Sequence, residues 1–231
     1  MTSSVPEHSL DEAPPAQTPT DQVRVRRVPH RADYDRATID AILDAGLVAH
    51  VGTVRDGKPV VIPMFYVRDG DTLLIHGAPA AGVLRRGKGT DVCVTVTHVD
   101  GLVLARSAFH HSMNYRSVVV VGEAVEVTDP AEKEAAVERF VEALVPGRQQ
   151  DLRPTTAKEI RGTSVLRLPL SQASAKVRSG GPVDDDEDYE LPIWAGVVPV
   201  RTVIEAPEAD TRNLPEVSVP ANVTALTSTD R

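Results

Sequence analysis

LVAHVGTVRDGKPVVIPMFYVRDGDTLLIHG, residues 47–77, decides the fold. Asp56-Gly57 separates LVAHVGTVR (47–55) from KPVVIPMFYVR (58–68), and Asp69-Gly70 precedes TLLIHG (72–77). Asp-Gly between β-type runs is a strong local hairpin signal, because the residues of a tight primed turn need positive φ. The stretch therefore predicts a three-stranded antiparallel meander.

The same reading extends outward from there. DVCVTVTHV (91–99) and LVLARSAF (102–109) read as a second hairpin about Asp100-Gly101, and RSVVVVGEAVEVTD (116–129) as a long strand. TSVLRLPLSQASAKVR (163–178) and WAGVVPVRTVIEA (194–206) are β-like. Helices stand at the edges. DYDRATIDAILDAG (33–46) places Ile39, Ile42 and Leu43 on one face, with Gly46 to end it. DPAEKEAAVERFVEALVP (129–146) has Asp129 to cap it, Pro130 at its first position and Glu132 at N3. Val137, Phe140, Val141 and Leu144 form its apolar stripe. APAAGVLRRGKG (78–89) is a short helix or turn, and 147–162 a polar loop with a short helix. About seven short strands with tight turns point to a barrel, mainly β with peripheral α.

Composition bounds the rest. The chain has 231 residues, 41% of them hydrophobic, which suffices for one sizeable domain. Its net charge of -8 argues against a nucleic-acid or anionic-membrane partner. No stretch is long and apolar enough to span a bilayer, and the N-terminus lacks a signal-peptide core, so a cytoplasmic protein is expected. Residues 1–22, rich in Pro, Ser, Thr and acid, are expected to be disordered. The basic arm RVRRVPHR (24–31) is a docking segment or a solvated lead-in. Residues 23–206 form one domain, and 207–231 an extended or disordered tail. The single cysteine, Cys93, excludes an internal disulfide and is expected to be a buried core thiol.

Four groups of residues can carry chemistry. His98, Asp100, His110 and His111 are of metal-ligand type, although adjacent strand histidines point to opposite faces. Tyr115, Arg116 and Ser117 supply a guanidinium fork and two hydroxyls suited to a phosphate; the alternative is a rim cluster with Arg116 paired to an acid such as Glu123. His76 ends an apolar strand and opens a small-residue turn, where Gly77 and Ala78 leave room for a flat ligand. Trp194, in a chain that is only 3% aromatic, caps a planar ligand or anchors the final strand.

Taken together, three stretches resemble the pyridoxamine 5'-phosphate oxidase-like superfamily of flavin-binding split barrels, and within it the nitroimidazole-reductase-like branch. They are GLVAHVGTVRDGKPVVIPMFYVRDGDTLLIHGA (46–78), DGLVLARSAFHHSMNYRSVVVVGEAVEV (100–127), and ASAKVRSGGP with LPIWAGVVPV (within 173–200). The resemblance implies a six- to seven-stranded antiparallel split β-barrel, a homodimer, and FMN held in clefts between the subunits. It implies that Arg116 and Ser117 lie where the superfamily's oxidases hold the flavin phosphate and ribityl chain. Pro63, Met64 and Phe65 match the strand that passes the ring, and His76, Gly77 and Ala78 match the turn lining it. One departure stands out. Where the family has a Ser-Arg or Gly-Lys pair on the phosphate, this chain has Ala81-Gly82. Arg85, Arg86 and Lys88 follow and can substitute; without them the phosphate loses a charge-assisted bond worth roughly 1.5–3 kcal/mol.

The expected function is an FMN-dependent oxidoreductase acting on a small molecule, with His76 the residue to test for catalysis. The chain lacks the C-terminal Arg-x-x-Pro motif of true pyridoxamine phosphate oxidases, so that reaction is not expected. The alternatives are a non-catalytic carrier of flavin, deazaflavin or haem, and a metal-dependent hydrolase.

Overall fold

The computed structural model describes residues 19–78 and 90–228. Its strands are β1 (Ala32–Asp33), β2 (Val48–Arg55), β3 (Lys58–Asp69), β4 (Thr72–Gly77), β5 (Asp91–Leu104), β6 (Ser112–Glu123), β7 (Val125–Glu126), β8 (Ser164–Pro169), β9 (Ala173–Arg178) and β10 (Gly196–Pro199). They join in the order β1-β9-β6-β5-β2-β3-β4-β8-β7, all antiparallel, with β10 added to β5. Because β7 continues β6 after one residue, the path returns on itself. It runs β2-β3-β4-β8, then the broken strand β6–β7, then β5 and back to β2. This is a mainly antiparallel split barrel, as the sequence predicts.

The meander forms as read. Asp56 and Gly57 both take positive φ, 50° and 73°, so the β2–β3 connection is the tight primed turn that Asp-Gly favours. The second expected hairpin does not exist. β5 runs straight through Asp100-Gly101, which forms a bulge against β6 between Val99 and Gly101. Gly101 is needed there for space: a Cβ would lie 2.9 Å from Val197 Cγ1 and 3.2 Å from Val198 O on β10. An Asp-Gly pair thus serves two backbone roles that spacing alone does not separate.

Alternation along each strand divides two cores. Ala49, Val51, Tyr66, Leu73, Ile75, Val94, Val96, Val118 and Val120 point into the barrel. Helix α1 (Arg36–Asp44) closes one end with Ile39, Ile42 and Leu43. Asp35 caps it, accepting from Ala37 N at 3.2 Å. Tyr66 Oη donates to Leu43 O at 2.5 Å, tying the helix end to β3. Buried Arg36 is held by Asp40 and Asp71, at 3.0 and 2.8 Å.

The second core lies outside the barrel, under helix α2 (Pro130–Leu144), where Ala136 and Phe140 cover Val67, Leu74, Val127 and Val165. Asp129 caps α2 through Glu132 N at 2.9 Å, as expected. The buried face is centred on Ala136 and Phe140; Leu144, assigned to the stripe by spacing, is exposed. A five-residue helix α3 (Ala157–Arg161) follows, with Thr156 and Glu159 forming a capping box. Beyond β10 the chain runs without regular structure to a short helix α4 (Ala221–Ala225), where Asn222 donates to Asp151. Of the tail expected over 1–22, residues 1–18 lie outside the described residues, as does the turn at 79–89.

Candidate functional site

Two expected site residues, Phe65 and His76, meet on the outer side of β3 and β4, and Pro63 shares that face. Met64 and Tyr66 face the barrel core, so Pro63 and Phe65 face outward. On β4, Leu73 and Ile75 point in, and His76 shares the outer side with Leu74. The Phe65 and Phe140 rings are 5.4 Å apart, and His76 lies 4.2 Å from Phe140 and 6.2 Å from Phe65. Burial among these rings lowers the His76 pKa, so its imidazole is neutral at pH 7. Gly77 is half-buried and Ala78 exposed at the end of β4. Arg85, with Ala81, Gly82, Arg86 and Lys88, lies outside the described residues.

Tyr115, Arg116 and Ser117 do not converge. They are consecutive on β6, and alternation sends Arg116 to the side of Val118 and its two neighbours to the other. Arg116 forks onto Asp100, Nε at 3.0 Å and Nη2 at 2.9 Å, and this bond raises its pKa. The acid is Asp100, brought across by the β5 bulge, not Glu123. Around the pair Thr97, His98, Arg201 and Thr202 line a polar cleft of about 340 Å³. Ser117 Oγ donates to Lys176 O, and Tyr115 stands opposite Arg178 on β9.

His110 and Asn114 of HHSMNYRS help to fasten an acidic loop, together with Arg106 and Arg178. Asn114 and Arg178 hold Gly180 and Gly181 carbonyls, Asn114 Nδ2 to Gly180 O at 3.1 Å and Arg178 Nη2 to Gly181 O at 3.1 Å. Asp184 accepts from Arg106 N and Nη1, both at 2.9 Å. Burial pushes the Asp184 carboxyl up, but these bonds and the Arg106 and His110 charges outweigh it and hold it below its ordinary value. His110 Nε2 is 3.3 Å from Asp185. Trp194 follows this loop and is 67% exposed. Its ring covers Gly196, where a Cβ would lie 2.9 Å from it, so it steadies the entry to β10.

The metal-type residues are turned to separate partners. His98 donates to Ile42 O at 3.0 Å, His111 Nδ1 to Ser107 O at 2.8 Å, and Asp100 and His110 are paired as described. Among the described residues no three His, Cys, Asp or Glu side chains gather as a metal site.

Cys93 is exposed, against expectation. In DVCVTV the valines at 92, 94 and 96 are the inward set, so Cys93 and Thr95 face out. They open onto an apolar groove of about 400 Å³ between β2, β3 and β5, shared with His50, Gly52, Val54 and Val61. Spacing in the sequence missed His50. The signal was there: in LVAHVGTVR, Ala49 and Val51 are inward, so His50 and Val54 must share the other face. The apolar surface continues through Val48, Val99, Leu102, Met113 and Val198, each at least 40% exposed. An antiparallel sheet apolar on both faces has something further to cover.

The closed antiparallel path and its outer helix define a split barrel. The chain belongs to the pyridoxamine 5'-phosphate oxidase family, whose model matches residues 35–177. It is similar to the flavocytochrome Anf3 from Azotobacter vinelandii, with 44% identity over 91% of this chain and 98% of that one, and a TM-score of 0.88. It is also similar to an FAD and haem binding protein from Mycobacterium smegmatis, with 35% identity, 85% and 97% coverage, and a TM-score of 0.82. A structure described as a 5-nitroimidazole antibiotic resistance protein from Bacteroides thetaiotaomicron has 26% identity, 63% and 86% coverage, and a TM-score of 0.52. No curated protein matches. No described helix is long and apolar enough to cross a membrane.

Proposed function

We propose that this chain is a flavin-dependent redox protein, working as a homodimer on a small molecule, with haem as a second redox group. One observation supports the flavin assignment: the His76 imidazole, its pKa lowered by burial, packed beside Phe65 at the Gly77–Ala78 end of β4. The aromatic wall of Phe65 beside that imidazole suits stacking against a planar isoalloxazine ring. The flavin supplies hydride and electron chemistry when bound. His76 would orient the ring and Pro63 and Phe65 would form its wall; Arg85 and Arg116 are the cations that would meet the phosphate, Arg116 only by giving up part of its fork onto Asp100.

FMN is the cofactor the sequence resemblance implies. The relative that binds FAD and haem makes FAD the equal candidate, and the flavocytochrome adds haem. The dimer rests on the exposed apolar face of β2, β5, β6 and β10, which a second copy would cover. The test is titration of the purified protein with FMN and with FAD, followed by sedimentation. Stoichiometric binding of one flavin per subunit by a dimer supports the reading. A monomer that binds neither overturns it.

A further inference from the structure

Tyr115 and Ser117 part from Arg116 on β6, and the fold gives them other cations. Register sets Tyr115 opposite Arg178 and Ser117 opposite Lys176. Ala175 and Val177 belong to the barrel core, so Lys176 and Arg178 stand on the outer face with Tyr115 and Ser117. β1 pairs with the other edge of β9, Ala32 opposite Lys176, which brings Arg31 to the same place. Arg178 is 8% exposed. Its guanidinium bonds neutral oxygens: Asn114 Oδ1, Gly180 O at 3.3 Å and Gly181 O at 3.1 Å. Burial lowers its pKa, and the Arg31 charge lowers it further.

The acids nearby are engaged elsewhere. Asp33 on β1 accepts from Asp35 N at 2.8 Å and Thr38 Oγ1 at 2.7 Å. Asp100 is held by Arg116, Asp184 by Arg106 and Asp185 by His110. Arg31 and Lys176, both half-buried, form no ion pair with a described residue. Buried charges are ordinarily paired, because an unmatched charge in a poorly solvated place costs free energy. Two guanidinium groups and an ammonium gathered on one face therefore suit an anion.

We propose that Arg31, Lys176, Arg178 and the Tyr115 hydroxyl form a binding site for an oxyanion, a phosphoryl or carboxylate group. Arg178 is committed to the loop carbonyls and supplies charge. Lys176 and Arg31 are the donors free to reach the anion, and Tyr115 adds a hydrogen bond. Ser117 Oγ donates to Lys176 O and steadies the strand pair there. The site shares the outer face with Pro63 and Phe65, so the oxyanion has two sources: a free small molecule, or the phosphate of a bound flavin.

The test is calorimetric titration of the full chain with orthophosphate, at constant ionic strength in chloride buffer, for wild type, Arg31→Gln, Lys176→Gln and Arg116→Gln. Wild type is expected to bind saturably, and Arg31→Gln and Lys176→Gln each at least tenfold more weakly. Circular dichroism establishes that each variant is folded. A wild type that binds no phosphate overturns the proposal. So does phosphate binding that survives in Arg31→Gln and Lys176→Gln and is lost in Arg116→Gln, which puts the anion beside Asp100. Adding FMN or riboflavin separates the sources. Phosphate displaced by FMN and not by riboflavin makes the flavin's phosphate the occupant; phosphate displaced by neither makes it a separate small molecule, and the site stands in both cases. Failure of both flavins to bind overturns the flavin reading alone.

Discussion

Replacing Phe140 with alanine tests whether α2 is the roof of the proposed site. Phe140 is 4% exposed and touches both Phe65 and His76. Truncating a buried phenylalanine costs about 3–5 kcal/mol, and aromatic pairs add about 0.5–1.5 kcal/mol beyond their buried area. Because α2 lies on the surface and can settle into the gap, the lower end applies, about 3 kcal/mol. At roughly 2–4 °C per kcal/mol for a chain of this size, the melting temperature should fall by about 6–12 °C. A second effect separates this from simple loss of packing. With the ring gone, water reaches His76 and its lowered pKa returns toward its ordinary value. A histidine depressed in the folded state binds fewer protons than in the unfolded chain, so its stability contribution is present above about pH 6.5 and declines as pH falls through the folded pKa. Urea denaturation from pH 5 to 8 should show that slope in wild type and a flatter one in Phe140→Ala. A loss under 1 kcal/mol with an unchanged slope would refute the packing of α2 on His76.

Other expectations follow from single contacts. Tyr66→Phe removes the bond to Leu43 O and should cost about 1 kcal/mol in urea denaturation; no change would mean that the bond does not anchor α1. Arg116→Ala should weaken flavin binding by one to two decades, the equivalent of a lost charge-assisted phosphate bond of roughly 1.5–3 kcal/mol. Unchanged affinity in a titration would limit Arg116 to holding Asp100 at the bulge. Asp184→Asn should free the loop at 180–190 from Arg106, seen as faster cleavage there by a protease, and equal cleavage rates would show that the loop is held elsewhere.

The barrel was legible because its signals are local. Asp56-Gly57 specifies a turn through backbone conformation, and alternate residues of β2 to β4 declare the core. The bulge at Asp100-Gly101 was not legible, since the demand for glycine comes from β10, nearly 100 residues later. Cys93 was misplaced because DVCVTV reads as one apolar run when the face beyond it is also apolar. The cluster at 110–117 was visible as a cluster, but its main partner, the loop at 180–190, is remote in sequence. His76 could be singled out as a strand-end residue; its neutral state depends on Phe140, which only the fold brings near.

The most direct measurement is the absorbance spectrum of the purified full-length protein titrated with FMN and FAD. Saturable binding of one flavin per subunit, with the ring's bands shifted by the apolar shelf at Phe65 and His76, is the predicted result. A protein whose spectrum and flavin fluorescence remain those of free flavin at every concentration would contradict the account: the split barrel would stand, and the shelf would have another occupant.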